Sequence, residues 1–116
     1  MIRRGDIHSV DLAPTRGSEA NKRRPAVIVS NDAANATATR LGRGVITVVP
    51  VTSNIERIYP FQVLLAAVDT GLDRNSKAQA EQIRSVAVER VGARLGVVPN
   101  ATMLEIEEAL RLHLGL

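Results

Sequence analysis

Three groups of polar side chains in this 116-residue sequence are of types suited to handling a phosphate ester. Lys22-Arg23-Arg24-Pro25 sets three cations at the mouth of an apolar run, and Pro25 restricts both its own backbone and that of Arg24. Arginine is permanently charged and bidentate toward phosphate oxygens. Thr52-Ser53-Asn54 follows a second apolar run with two hydroxyls and an amide. Glu81 and Gln82, with Arg84, interrupt a stretch otherwise fit for a strand. Taken singly, each group has a plainer reading: a solvated basic loop, an ordinary turn, a surface salt bridge.

Much other chemistry is excluded. With no cysteine there is no thiol nucleophile, disulfide, zinc ribbon or iron–sulfur cluster. The spacings HExxH, GxGxxG and Walker A and the EF-hand loop are absent, so no metal and no cofactor is expected. A phosphate-handling enzyme built from this chain would have to work without a metal. RNA permits that, because its own 2′-hydroxyl can attack the adjacent phosphorus. The protein then supplies charge stabilisation at the non-bridging oxygens, an acceptor for the 2′ proton and help for the departing 5′ oxygen. Neither histidine needs a part in this. His8 falls on the apolar side of a strand pattern and reads as packed, and His113 falls in the last turn of a helix, where a cation suits the dipole.

Charge and composition narrow the partner. The chain carries +3, and the surplus sits in residues 1–58, with nine Lys/Arg against five Asp/Glu; residues 59–116 hold six against seven. That asymmetry favours a polyanion for the first half. Tyr59 and Phe61 are the only aromatics, too few for a surface that reads bases by stacking. Arginines and backbone groups would have to do most of the holding. No apolar run approaches the ~20 residues of a membrane span, and the basic start, Met1-Ile2-Arg3-Arg4, has no apolar segment behind it; the expected location is the cytoplasm.

The elements that must position these groups can be read from periodicity. Gly5 to Leu12 alternates as a strand, Ala13 to Arg23 is a polar and basic loop, and Pro25 to Ser30 is a strand buried on both faces. Asn31 to Thr39 reads as a short helix, Leu41-Gly42-Arg43-Gly44 as a basic turn, and Val45 to Val51 as a strand. Thr52 to Tyr59 is loop, Pro60 to Ala66 strand, and Thr70 to Ser76 a turn. Lys77 to Val88 is ambiguous between helix and strand, and Arg94 to Val98 is a last short strand. Thr102-x-x-Glu105 reads as a capping box opening a C-terminal helix with Met103, Ile106, Ala109, Leu110 and Leu114 on one face and Gly115 as its stop. Five or six short strands and one terminal helix describe a mostly β fold, a small closed or half-closed barrel, as a single domain over residues 1–116.

The ordered motifs resemble the MazF/PemK (Kid) family of toxin endoribonucleases over essentially the whole chain. They are Arg4-Gly5-Asp6-Ile7; Asp11-Leu12-Ala13-Pro14; Gly17-Ser18-Glu19 ahead of Arg24-Pro25-Ala26-Val27-Ile28-Val29-Ser30-Asn31; Pro50-Val51-Thr52-Ser53; and Glu81-Gln82-Ile83-Arg84-Ser85. The resemblance implies an SH3-like barrel (CcdB/PemK-like) and tips the first part of Lys77 to Val88 toward strand. It also implies a homodimer binding single-stranded RNA across the subunit interface, sequence-specific cleavage leaving a cyclic phosphate and a 5′-hydroxyl, and arrest of translation and growth. A cognate MazE-like antitoxin with an acidic disordered tail would neutralise it.

Carried over by position, Arg24 is the principal catalytic arginine and Thr52 its partner at the phosphate, while Glu19, Ser53, Gln79, Glu81 and Gln82 line the groove for bases and sugars. The chain departs from the family pattern at His8, where many members have an aromatic, and at Ser18, Gln79 and Glu81, where some have His, Arg and Asp. The identity of the general base stays open: Glu19 or Glu81 would serve only if burial raised its pKa toward neutrality, and another group is the alternative. Two other classes stay in view: a non-catalytic CcdB-like toxin that poisons a protein such as gyrase, and a basic RNA-binding adaptor. The first depends on an aromatic near the C-terminus, where this chain has Leu114-Gly115-Leu116.

Overall fold

The computed structural model describes residues 1–13, 17–18 and 22–116. Its strands are β1 (Asp6–Asp11), β2 (Arg23–Ile28), β3 (Val45–Thr52), β4 (Gln62–Leu65), β5 (Ser76–Gln79), β6 (Arg84–Ala87) and β7 (Val91–Val97). Its helices are α1 (Asp32–Leu41), α2 (Ala67–Thr70) and α3 (Asn100–Leu114). The strands form one antiparallel sheet in the order β4-β5-β3-β2-β1-β7. Strand β3 has two neighbours on one side: β6 pairs with Val45–Val48 and β5 with Val51 and Thr52. The expected mostly β architecture with a C-terminal helix is what the chain adopts.

Both faces of the central strands are covered. Alternation along β1 sends Ile7 into one apolar cluster, with Val27, Val49 and Leu65, and Val10 into another, with Ala26, Ile28 and Val48. Helix α3 closes the first cluster with Met103, Ile106 and Ala109, and α1 adds Ala38 to the second. Burying each of the large aliphatic side chains contributes roughly 1.5–3 kcal/mol. His8 is packed as its pattern predicts, 5% exposed, with Nδ1 at 2.9 Å from the Gly92 carbonyl oxygen.

Local signals explain α1. The Asn31 side chain accepts from the Ala34 amide at 2.8 Å, and Gly42 ends the helix at φ 66°. The Arg4 amide donates to Asp32 at 2.7 Å, tying the N-terminal segment to the first turn and holding the Asp32 carboxyl below the usual carboxylate range. Helix α3 differs from expectation. It starts at Asn100 behind Pro99, with no side-chain cap, so Thr102 lies within the first turn and Thr102-x-x-Glu105 is not a capping box. Pro99 occupies the cap position itself, at φ −59° and ψ 152°, so the entrance is set by its fixed φ and no side chain accepts from the first amides. Leu114, expected on the packed face, is 51% exposed, whereas Gly115 does terminate the helix at φ 70°.

The strand count is seven because a 3₁₀ turn at Ala80–Gln82 divides Lys77 to Val88 into β5 and β6. The last strand also begins at Val91, earlier than expected, and α2 occupies part of a stretch left unassigned. Strands β4 and β7 are not paired with each other. Close contact joins these ends instead: a Cβ placed on Gly96 would stand 2.2 Å from the Thr70 carbonyl oxygen. Gly96→Ala should therefore push the α2 turn off β7 and cost about 1–3 kcal/mol, read as a lower denaturant midpoint with an unchanged slope.

Candidate active site

Antiparallel register brings the first two polar groups together. Strands β2 and β3 pair Ile28 with Val48, Val27 with Val49 and Ala26 with Pro50. Carried two residues further, the same register sets Arg24 opposite Thr52, on one face of the sheet. Neither Pro25 nor Pro50 has an N–H, so the ladder cannot continue and the strand ends part. The Arg24 backbone stays fixed from the other side, by its pairing with Val10 of β1.

In the gap lies a cavity of about 360 Å³. Arg24, Thr52 and Ser53 line it on one side, and Asp73, Arg74 and Leu95 also border it. Of the three cations at positions 22–24, only Arg24 lines this cavity. The Arg23 guanidinium lies against β7, where a Cβ on Gly92 would meet its Nη1 at 2.9 Å. Thr52 Oγ1 accepts from the Asn54 amide at 3.2 Å, which fixes the hydroxyl oxygen and leaves its proton to be donated elsewhere. Both Arg24 and Thr52 are half-buried.

The third polar group is held together at a separate place. Gln62 Nε2 donates to Glu81 Oε2 at 2.7 Å, and Gln62 Oε1 accepts from the Tyr59 amide at 3.1 Å. Gln79 sits opposite Gln62 in the β4–β5 pairing. Glu81 Oε1 is buried with no hydrogen-bond partner among the described residues, and Gln82 Nε2 donates to the Ser18 carbonyl at 3.1 Å. None of Gln79, Glu81 and Gln82 lines the Arg24 cavity. The structure thus gathers Arg24, Thr52 and Ser53 in one place and Gln79, Glu81 and Gln82 in another, while Glu19 lies outside the described residues.

Several residues at the site were not singled out from sequence. Asp73 and Arg74 look like a turn in the sequence and reach the cavity only through the packing of α2 against β7. Lys77 is 7% exposed, and its Nζ donates to the Arg57 carbonyl at 2.6 Å, holding the segment after Thr52 against β5. In that segment Tyr59 and Phe61 stack on each other, centroids 5.4 Å apart, with Arg57 over the Tyr59 ring. The sequence around the lysine, Ser76-Lys77-Ala78-Gln79, carries no signal that it is buried. Among the described residues no group of three or more His, Asp or Glu side chains could hold a metal ion.

The family described as PemK-like, MazF-like toxin of type II toxin-antitoxin system matches residues 3–114. The chain belongs to this family. It is 67% identical over 116 residues to Endoribonuclease MazF9 of Mycobacterium tuberculosis, covering 100% of this chain and 98% of that one. A crystal structure of MazF from Deinococcus radiodurans superimposes with a TM-score of 0.82 at 28% identity, covering 99% of this chain and 97% of the other. A mycobacterial endoribonuclease in complex with its cognate antitoxin gives 0.77 at 28% identity, over 100% and 97%.

For this PemK/MazF-like chain the Lys77 tether should be separable from the cavity itself. Lys77→Met keeps the aliphatic stem and removes the bond to Arg57. Amide exchange should accelerate in residues 53–60 while the β2–β3 amides keep their protection.

Proposed function

We propose that this chain is an endoribonuclease toxin that cuts single-stranded RNA, and that Arg24 and Thr52 carry the chemistry. The observation behind this is their convergence on one cavity at the parted ends of β2 and β3. The endoribonuclease names of its relatives support the same reading. They give no support to a gyrase poison or a non-catalytic adaptor.

In the reaction the 2′-oxygen forms a bond to phosphorus as the bond from phosphorus to the 5′-oxygen breaks. The products are a 2′,3′-cyclic phosphate and a 5′-hydroxyl. Negative charge builds on the non-bridging oxygens in the transition state, and a fixed guanidinium is worth more there than in the ground state. Arg24 supplies that charge from a backbone anchored in the sheet. Thr52, its oxygen already engaged by Asn54, donates its proton to the same phosphate. Ser53 extends the hydroxyl lining, and Glu19, Gln79, Glu81 and Gln82 bind bases and sugars along the continuing groove, giving sequence specificity. The 2′ proton goes to Glu19 or to another acceptor, since Glu81 does not line the Arg24 cavity, and solvent protonates the departing 5′-oxygen. Arg24 is not that acceptor, because a guanidinium has no lone pair free to accept a proton and acts as a donor only.

The working unit is a cytoplasmic homodimer with RNA lying across the subunit interface. Cleavage arrests translation and growth until a MazE-like antitoxin lays an acidic disordered tail in the basic groove and excludes RNA by occupancy. That a mycobacterial relative is seen with its cognate antitoxin supports such a partner.

Purified protein should cut single-stranded RNA in EDTA and leave termini that resist 5′-phosphate-dependent ligation. Arg24→Ala and Thr52→Ala should each lower kcat about 10²–10³-fold while the unfolding midpoint stays close to wild type. Cleavage that appears only on adding a divalent ion would overturn the mechanism.

A further inference from the structure

We propose that Arg74 is a second phosphate ligand of the Arg24 cavity, holding the phosphodiester next to the one that is cut. The inference rests on the endoribonuclease reading and adds a residue to it. A cavity of about 360 Å³ falls within the range of small-molecule sites, roughly 300–1,000 Å³, and a single phosphate group would leave most of it empty. It has room for a nucleotide with its neighbouring phosphate, and a second cation, Arg74, lines it besides Arg24.

The backbone that carries Arg74 is tied on every side. Gly71 ends α2 at φ 86° and its amide donates to the Ala67 carbonyl at 3.0 Å. The Leu72 amide donates to Thr70 Oγ1 at 3.3 Å, and Asn75 Oδ1 accepts from the Ala67 amide at 2.9 Å. Ser76 Oγ donates to the Arg74 carbonyl itself at 3.0 Å. These bonds fix where the side chain starts without using the guanidinium.

The guanidinium has no carboxylate partner among the described residues, a state it shares with Arg40 and Arg43, and unlike those two it lines the Arg24 cavity. Asp73 lines the same cavity but forms no ion pair with its neighbour. A rigid stem with an unengaged cation facing the cavity of Arg24 is the arrangement that lowers the ordering cost of binding a phosphate.

Binding electrostatics test this directly. The probe is the 2′-O-methylated copy of an RNA that the wild-type protein cuts, which binds without reacting. Each phosphate contact on a single strand contributes about 0.7 to the slope of log affinity against log salt. Arg74→Ala should reduce that slope by about 0.7 and raise KM several-fold with kcat little changed, and Arg74→Lys should restore the slope. Arg111→Ala, on α3 and paired with Glu108, should leave the slope at the wild-type value. If wild-type protein cuts RNA in EDTA yet Arg74→Ala keeps its slope and KM, the Arg74 assignment is wrong and the endoribonuclease reading stands. If wild-type protein cuts no RNA, the reading beneath it fails first. A matching thermal midpoint for Arg74→Ala separates lost contact from lost fold.

Discussion

The register of β2 against β3 is the constraint from which the site follows. Val27 and Val49 pack into one apolar cluster, and Ala26, Ile28 and Val48 into the other, so both faces of these strands are committed. A slip of one residue would exchange the two sets and turn Arg24 to the face opposite Thr52. The chemistry needs no local fixing of its own: the burial that holds the sheet together also brings the guanidinium and the hydroxyl to one side. The two prolines then decide where pairing stops, and the stop is where the cavity opens.

Strand β3 distributes that constraint. Its first half carries β6 and its second half β5, with the 3₁₀ turn at Ala80–Gln82 between them. The Gln62–Glu81 bond ties that turn to the start of β4, and Lys77 ties β5 to the segment following Thr52. Each polar patch is thus connected to β3 through one element and to a loop through another. Both places are held stiffly while the loop sequence between them is free to differ.

Much of this was legible before any coordinates. Alternation located β1, and the apolar runs located β2 and β3; the Ala/Asn/Thr-rich stretch after Asn31 located α1, whose cap and stop at Asn31 and Gly42 the structure added. Arg24 and Thr52 could be named because family motifs mark their positions, but their meeting depends on a pairing that no single strand encodes. Two of the missed features share one cause. The extra strand and the approach of Asp73 and Arg74 to the cavity are settled by contacts between distant segments, against local preferences that are weak or contrary, whereas the start of α3 turned on a choice between two local signals. Thr102 has the right type for a cap, yet Pro99 had already set the helix entrance. Lys77 to Val88 was ambiguous because its Ala, Gln and Glu favour helix, and the burial of Lys77 against the Arg57 carbonyl is visible only in the fold.

The seam between Thr70 and Gly96 is made by proximity alone: among the described residues no backbone hydrogen bond crosses it. Such a joint behaves differently in the two directions. Compression meets hard repulsion at once, while separation gives up only dispersion contacts, each worth a few tenths of a kcal/mol at most. The α2 turn is therefore set at a closest distance from β7 beyond which it cannot advance. A stop of this kind keeps the cavity that Gly71 and Leu95 border from closing further, so its least width is set by backbone atoms and not by whichever base a substrate presents.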